Sequence, residues 1–171
     1  RKRAKDLPRD AEGKIEVNIT EPHILEDMDY FRPSAIHFQK HGCFTKLRPN
    51  PNPNSEYGKW IREETRRCFE GYVRPSDGEW ITGNMYFFIN YCPIPMTKMV
   101  KGSKRGERVI DFPEIWEGIY YRFHYIEQAR KGGIYCKEGG KNGSEVSSRG
   151  KSKSMTMAAI MAKYFVLGED K

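Results

Sequence analysis

The sequence predicts an α/β chain, and three observations predict it. Aromatic and branched residues crowd around the turn dipeptide Asp77-Gly78, a density that reads as strands. Trp116, Ile119, Tyr120, Phe123 and Ile126 then fall at the spacing of one helical face. Finally, a small-residue, basic stretch from Glu145 to Ser154 runs from a predicted strand into a predicted helix.

The chain of 171 residues has room for one substantial domain, or one domain with an appendage. Its hydrophobic share of 37% and aromatic share of 13% supply a core, which excludes a wholly disordered polypeptide. The longest apolar runs, Met85 to Ile89 and Met157 to Met161, fall far short of the ~18–20 residues of a membrane helix. Arg1-Lys2-Arg3-Ala4-Lys5 is basic with no apolar stretch behind it, unlike a signal peptide, and the missing initiator Met leads us to expect residues before Arg1. Cys43, Cys68, Cys92 and Cys136 form no C-x-x-C pair and fit a reduced, intracellular chain. His37, His41 and Cys43 are a weak candidate for zinc, lacking a second pair. The net charge is +7. Between Arg130 and Lys153 seven basic residues (Arg130, Lys131, Lys137, Lys141, Arg149, Lys151, Lys153) stand against Glu138 and Glu145, so an anion is expected there.

In chain order, residues 1–54 read as an extended or loosely packed arm closing in a Pro/Asn linker, because alternating proline and asparagine propagates neither helix nor ladder. Residues 55–110 form an α+β extension. Ser55 is the expected cap of a charged helix that Gly71 ends. Glu79 to Thr82 and Asn84 to Tyr91 are expected strands, the second buried and stopped by Pro93 and Pro95. Residues 97 to 110 are a basic loop or hairpin. Residues 111–171 begin with a helix opened by Phe112-Pro113, with Glu114, Glu117, His124 and Gln128 opposite its apolar stripe and Gly132-Gly133 at its end. A short strand is expected at Ile134-Tyr135-Cys136. A last helix, about Ser154 to Leu167, is expected with Met155, Ala158, Ala159, Ala162 and Phe165 on one face.

The stretch Glu145-Val146-Ser147-Ser148-Arg149-Gly150-Lys151-Ser152-Lys153-Ser154 has the context of a phosphate-binding loop. Small residues let backbone N–H groups close round a phosphate and the helix N-terminus adds its dipole. A lysine reaches the outer phosphates and a hydroxyl ligates magnesium. Against G-x-x-x-x-G-K-[ST] two registers compete. Gly150-Lys151-Ser152 puts Glu145 at the first glycine; Ser152-Lys153-Ser154 replaces both glycines by serine. Spacing leaves a nucleotide loop and a basic turn capping a helix equally open.

Ser148 to Ser154 resembles the loop of the large terminase subunits of tailed bacteriophages, which typically reads R-G-x-G-K-S. The resemblance extends back through Arg67 to Tyr72 and Asp77 to Ile94, which look like the block before the ATPase in terminases of crAss-like and related gut phages. It covers about residues 56 to 168. It selects the second register: Arg149 matches the arginine, Lys153 the lysine and Ser154 the magnesium ligand, with Ser148, Gly150, Lys151 and Ser152 completing the ATP-binding loop. Ser152 departs from the usual glycine, and Lys151 is an extra cation. The resemblance implies a P-loop parallel sheet flanked by helices, ATP and Mg2+ as cofactors, and a motor that drives double-stranded viral DNA into the capsid. It further implies portal protein and small terminase subunit as partners, a homo-oligomeric ring, no membrane, and a place in the host cell cytoplasm and transiently at the procapsid. In that family the acidic magnesium-binding strand, the catalytic glutamate and the nuclease carboxylates follow the loop beyond a point matching Lys171. The expectation is therefore a segment that neither hydrolyses ATP nor cuts DNA alone, with no catalytic residue of its own.

Plainer readings stand beside these. Trp116, Tyr120 and Phe123 read as core, as do Trp80, Tyr86, Phe87 and Phe88, which could otherwise stack on bases. Lys98, Lys101, Lys104 and Arg105 could touch DNA phosphates or form a solvated loop. Glu63, Glu64, Arg66 and Arg67 read as a charged helix surface, and His124 as structural or exposed. The alternative function is a non-catalytic, basic nucleic-acid-binding or capsid-docking module with a degenerate loop.

Overall fold

The computed structural model describes residues 32–44, 52–73, 78, 80–99, 106–113, 115, 117–132, 140 and 153–168. Five helices and four short strands form there. Helix α1 (Pro33–His41) lies within the stretch expected to be an extended or loosely packed arm. Pro33 starts it, suited to a first turn that has no use for its missing N–H. Asn90 Oδ1 accepts from the N–H groups of Ser34 (3.2 Å) and Ala35 (3.5 Å), a cap supplied from another helix. Helix α2 (Glu56–Glu70) starts as expected at Ser55, whose hydroxyl accepts from Gly58 N at 3.0 Å.

Gly71 ends α2 with φ +91, a conformation that disfavours any side chain. The chain turns directly into β1 (Tyr72–Val73), which pairs antiparallel with β2 (Trp80–Ile81). Glu70 O accepts from the Trp80 indole N–H at 3.2 Å, tying the ribbon to the end of α2.

Residues 84 to 91, expected as a buried strand, are helical. Helix α3 (Gly83–Tyr91) is capped by Thr82, whose hydroxyl accepts from Met85 N at 3.2 Å. Every residue from Gly83 to Asn90 is buried. A helix enclosed on all sides is apolar all round and shows no 3.6-residue stripe, which is why its composition imitates a core strand. Gly83 makes the enclosure possible: a Cβ there would stand 2.4 Å from Cys68 O, so α2 and α3 meet backbone to backbone.

Strands β3 (Ile94–Lys98) and β4 (Glu107–Asp111) pair antiparallel, Ile94 opposite Asp111 and Lys98 opposite Glu107, resolving the loop-or-hairpin alternative as a hairpin. Helix α4 (Glu117–Lys131) begins later than Phe112-Pro113 and ends at Gly132, φ +87. Helix α5 runs Lys153–Leu167. The core gathers around α3: Met85, Phe88 and Ile89 meet Cys68 of α2, Ile119, Tyr120 and Phe123 of α4, and Ala159 of α5. Among the described residues the sheets are two antiparallel pairs and no parallel sheet occurs. No helix there is long and apolar enough to cross a membrane.

Candidate functional site

Of the predicted loop, Ser148, Arg149, Gly150, Lys151 and Ser152 lie outside the described residues, as does the strand expected at 134–136. Lys153 and Ser154 open α5, the lysine half-buried and the serine exposed. The first-turn position places both where the N–H groups of a helix start have no intrahelical acceptor.

Of the residues expected on one face of α5, Ala159 alone is buried. Thr156, Ala159 and Lys163 are buried, whereas Met155, Phe165 and both Ala158 and Ala162 are exposed, Phe165 at 91%. A stripe of mid-sized apolar residues could not reveal that the inward face centres on a threonine and a lysine. Arg122 of α4 donates to Thr156 Oγ1 at 3.3 Å. Lys163 Nζ donates to Cys68 O at 3.1 Å and to Asn84 Oδ1, and lies 4.5 Å from the Tyr164 ring centroid and 5.1 Å from that of Phe69. Burial lowers its pKa to about 8, since desolvation disfavours the charged form. The helix following the predicted loop is thus tethered to α2, α3 and α4 at once.

Sequence reasoning missed a second constellation. Glu64 and Arg67, taken as helix surface, are 5% and 8% exposed. Arg67 Nη1 donates to Glu64 Oε1 at 2.9 Å. The same carboxylate accepts from Tyr86 OH (2.9 Å to Oε1), Tyr91 OH (2.5 Å to Oε2) and Ser34 Oγ (3.1 Å to Oε2). Four donors meet the roughly four lone-pair positions of a carboxylate. Burial, reinforced by the Glu64 charge, holds both tyrosine hydroxyls far above the ordinary phenol range. On the outer flank Glu63 is bound by Arg66 (2.9 Å) and Arg67 (3.2 Å), and the Arg66 hydrogen bond draws its pKa down to about 2. The signal that could have found the pair is the three-residue spacing of Glu64 and Arg67 beside Tyr86 and Tyr91, but charge spacing alone cannot say which face is covered.

Several lesser expectations resolve here. His124, placed opposite the apolar stripe, is 1% exposed and neither ring nitrogen has a hydrogen-bond partner among the described residues. It packs 4.3 Å from Tyr120 and 5.7 Å from Trp80, and burial lowers its pKa to about 3. Gln128 is buried too, and Tyr120, Phe123, Trp80, Tyr86, Phe87 and Phe88 are core. Trp116 lies outside the described residues. Lys98 is held by Asp111 at 2.6 Å, while Lys101, Lys104 and Arg105 are not described. Arg130 and Lys131, counted in the basic stretch, both hold buried Glu127, at 2.9 and 2.6 Å. The His37 and His41 rings pack at a 38° tilt with centroids 4.5 Å apart, and no three metal-ligating side chains group among the described residues.

The chain was compared with protein-family models, curated proteins and solved structures, and none matches.

Proposed function

We propose that this chain carries the nucleotide-binding segment of a DNA-packaging motor ATPase of the large-terminase kind, with residues 148–154 as its phosphate loop. The observation that carries this reading is the start of α5 at Lys153, immediately after the glycine-, serine- and arginine-bearing stretch. A hydroxyl at Ser154 and an ammonium at Lys153, in a helix's first turn, are the donor set that magnesium-bound triphosphate uses. Lys153 would hold the outer phosphates and Ser154 the Mg2+, which screens the charge that builds on the phosphates. The tether through Thr156 and Lys163 supports this, because it fixes the helix on which those groups stand. Double-stranded DNA as cargo, the portal and small subunit as partners and a ring of identical copies belong to the same proposal.

One observation favours a second reading, a basic nucleic-acid-binding or capsid-docking module. The described residues pack around a central helix with two antiparallel ribbons rather than around a parallel sheet. Calorimetric titration with magnesium-ATP separates the two. Saturable binding that Lys153→Ala weakens by about tenfold or more, roughly 1.4 kcal/mol, supports the phosphate loop and its register. The same loss on Lys151→Ala instead moves the register to Gly150-Lys151-Ser152. Indifference to ATP, with DNA binding that falls steeply as salt rises, establishes the second reading in its place.

A further inference from the structure

Beside the Glu64 network, α1 and α2 enclose a cleft of about 190 Å3, none of whose described lining residues belongs to the predicted loop. Ser34 and His37 line it from α1, Trp60, Glu64 and Arg67 from α2, and Phe44 from the turn after α1, with Pro33 at one edge. A cavity of roughly 150 Å3 is enough to take a benzene ring, so this volume suits one ring and a substituent.

The walls and the floor select a chemistry. Trp60 is 38% exposed, and its ring lies nearly parallel to Tyr57, 15° apart with centroids at 6.1 Å. Phe44 is held by Tyr91 at 5.2 Å and by Phe112 at 6.0 Å. These are apolar π faces set by their neighbours before any ligand arrives. Glu64 offers nothing to a cation, because Tyr86, Tyr91, Ser34 and Arg67 already occupy its oxygens. Arg67 is different. Its Nε donates to Glu63 (3.2 Å) and its Nη1 to Glu64 (2.9 Å) and Tyr86 (3.3 Å), while no hydrogen bond among the described residues uses Nη2. Tyr72 covers the guanidinium, its ring centroid 4.6 Å from Cζ. Arg67 is 8% exposed, and its Nη2 edge, without an acceptor among the described residues, is available to an acceptor from outside.

We propose that the cleft between α1 and α2 binds a small planar ring bearing a carbonyl or carboxylate oxygen. The ring lies against Trp60 and Phe44, and its oxygen accepts from Arg67 Nη2. The proposal does not rest on nucleotide binding by the loop, since none of the described residues that line the cleft belongs to it.

The test is an NMR titration of the chain with benzoate, benzamide, cyclohexanecarboxylate and benzamidinium, following the Trp60 indole and the amides of residues 34–37 and 60–67. Benzoate and benzamide should saturate those signals in the millimolar range or tighter. Cyclohexanecarboxylate, with the same charge but no planar ring, should bind about fivefold or more weakly, and benzamidinium, a cation of the same shape, should not bind. Trp60→Leu touches none of the buried hydrogen bonds and should weaken benzoate about five- to tenfold with an unchanged circular-dichroism spectrum. Absence of saturable shifts at these residues overturns the proposal. So does equal binding of all four probes, or an unchanged benzoate affinity in Trp60→Leu.

Discussion

Where α3 meets α1 and α2, Glu64 and Arg67 lie 2.9 Å apart and two tyrosines and a serine complete the carboxylate's shell. Where α3 meets α5, Lys163 has no carboxylate partner among the described residues; a backbone carbonyl of α2 and the Asn84 amide oxygen hold its ammonium. Nearby on α4, His124 is enclosed with no hydrogen bond at either ring nitrogen among the described residues. The first cluster cancels its charge internally, so it tolerates burial so long as every member is present. The second sets burial directly against charge, so it responds to pH. Buried polarity is thus used in two ways within one small core, once as a closed shell and once as a set of titratable weak points.

The largest expected effect breaks the closed shell. Glu64→Ala removes the buried carboxylate of Arg67, leaving it only the half-exposed Glu63, and strips Tyr86, Tyr91 and Ser34 of their shared acceptor, so it should cost about 3–5 kcal/mol of stability in urea denaturation. A loss under about 1 kcal/mol would mean that the shell is not closed and would remove the contrast.

The next sharpens the open cluster from the acid side. The folded-state pKa of His124, about 3, lies below its ordinary 6.5, so between those values the unfolded chain binds the extra proton. Stability should therefore be fully present above pH 6.5 and fall by about 1.4 kcal/mol per unit once well below it. Glu127, the nearest charge, pulls the other way but is outweighed by burial. Glu63, Asp111 and Glu127 are held below the ordinary carboxylate range, so among the described groups whose titration is shifted the window from 6.5 to 5 belongs to the histidine. His124→Phe should flatten denaturation midpoints across that window, and an unchanged slope would assign the acid sensitivity elsewhere.

The smallest effect comes from the alkaline side. Lys163 loses its proton near pH 8 when folded, whereas the unfolded lysine keeps it to about 10.5. Stability should rise by about 1 kcal/mol between pH 8 and 9 and should not do so in Lys163→Met. Above pH 9 the buried Cys68 thiol, raised to about 12, opposes the gain. Denaturation at closely spaced pH values would show whether the rise and its reversal both occur.

The features that were legible in the sequence are those set by neighbours in the chain. Ser55 caps its own helix, Gly71 and Gly132 end theirs, and Trp80–Ile81, within the strand expected at 79–82, is a strand, although its partner at Tyr72–Val73 was not expected. What was not legible is set by partners far away. The α3 segment reads as a strand because enclosure on all sides erases the periodicity that marks a helix. Glu64 and Arg67 read as surface because their neighbours Glu63 and Arg66 carry the same charges three residues apart, and only packing against Ser34, Tyr86 and Tyr91 distinguishes them. On α5 the sequence groups Met155, Ala158, Ala159, Ala162 and Phe165 on one face, of which Ala159 is buried; the burial of Lys163 is set by the Cys68 carbonyl and Asn84, 95 and 79 positions earlier. Of the candidate loop, the helix following it was legible, and its two described residues, Lys153 and Ser154, fall in the first turn.

The backbone contact at Gly83 gives the Cys68 carbonyl two neighbours. It is the atom a methyl group at position 83 would strike first, and the atom on which the Lys163 ammonium rests. Any side chain at 83 would push that oxygen and loosen the seat of α5. Position 83 therefore governs the seating of α5 at one remove, and selection acting on α5 would appear as intolerance at a glycine in a different part of the chain.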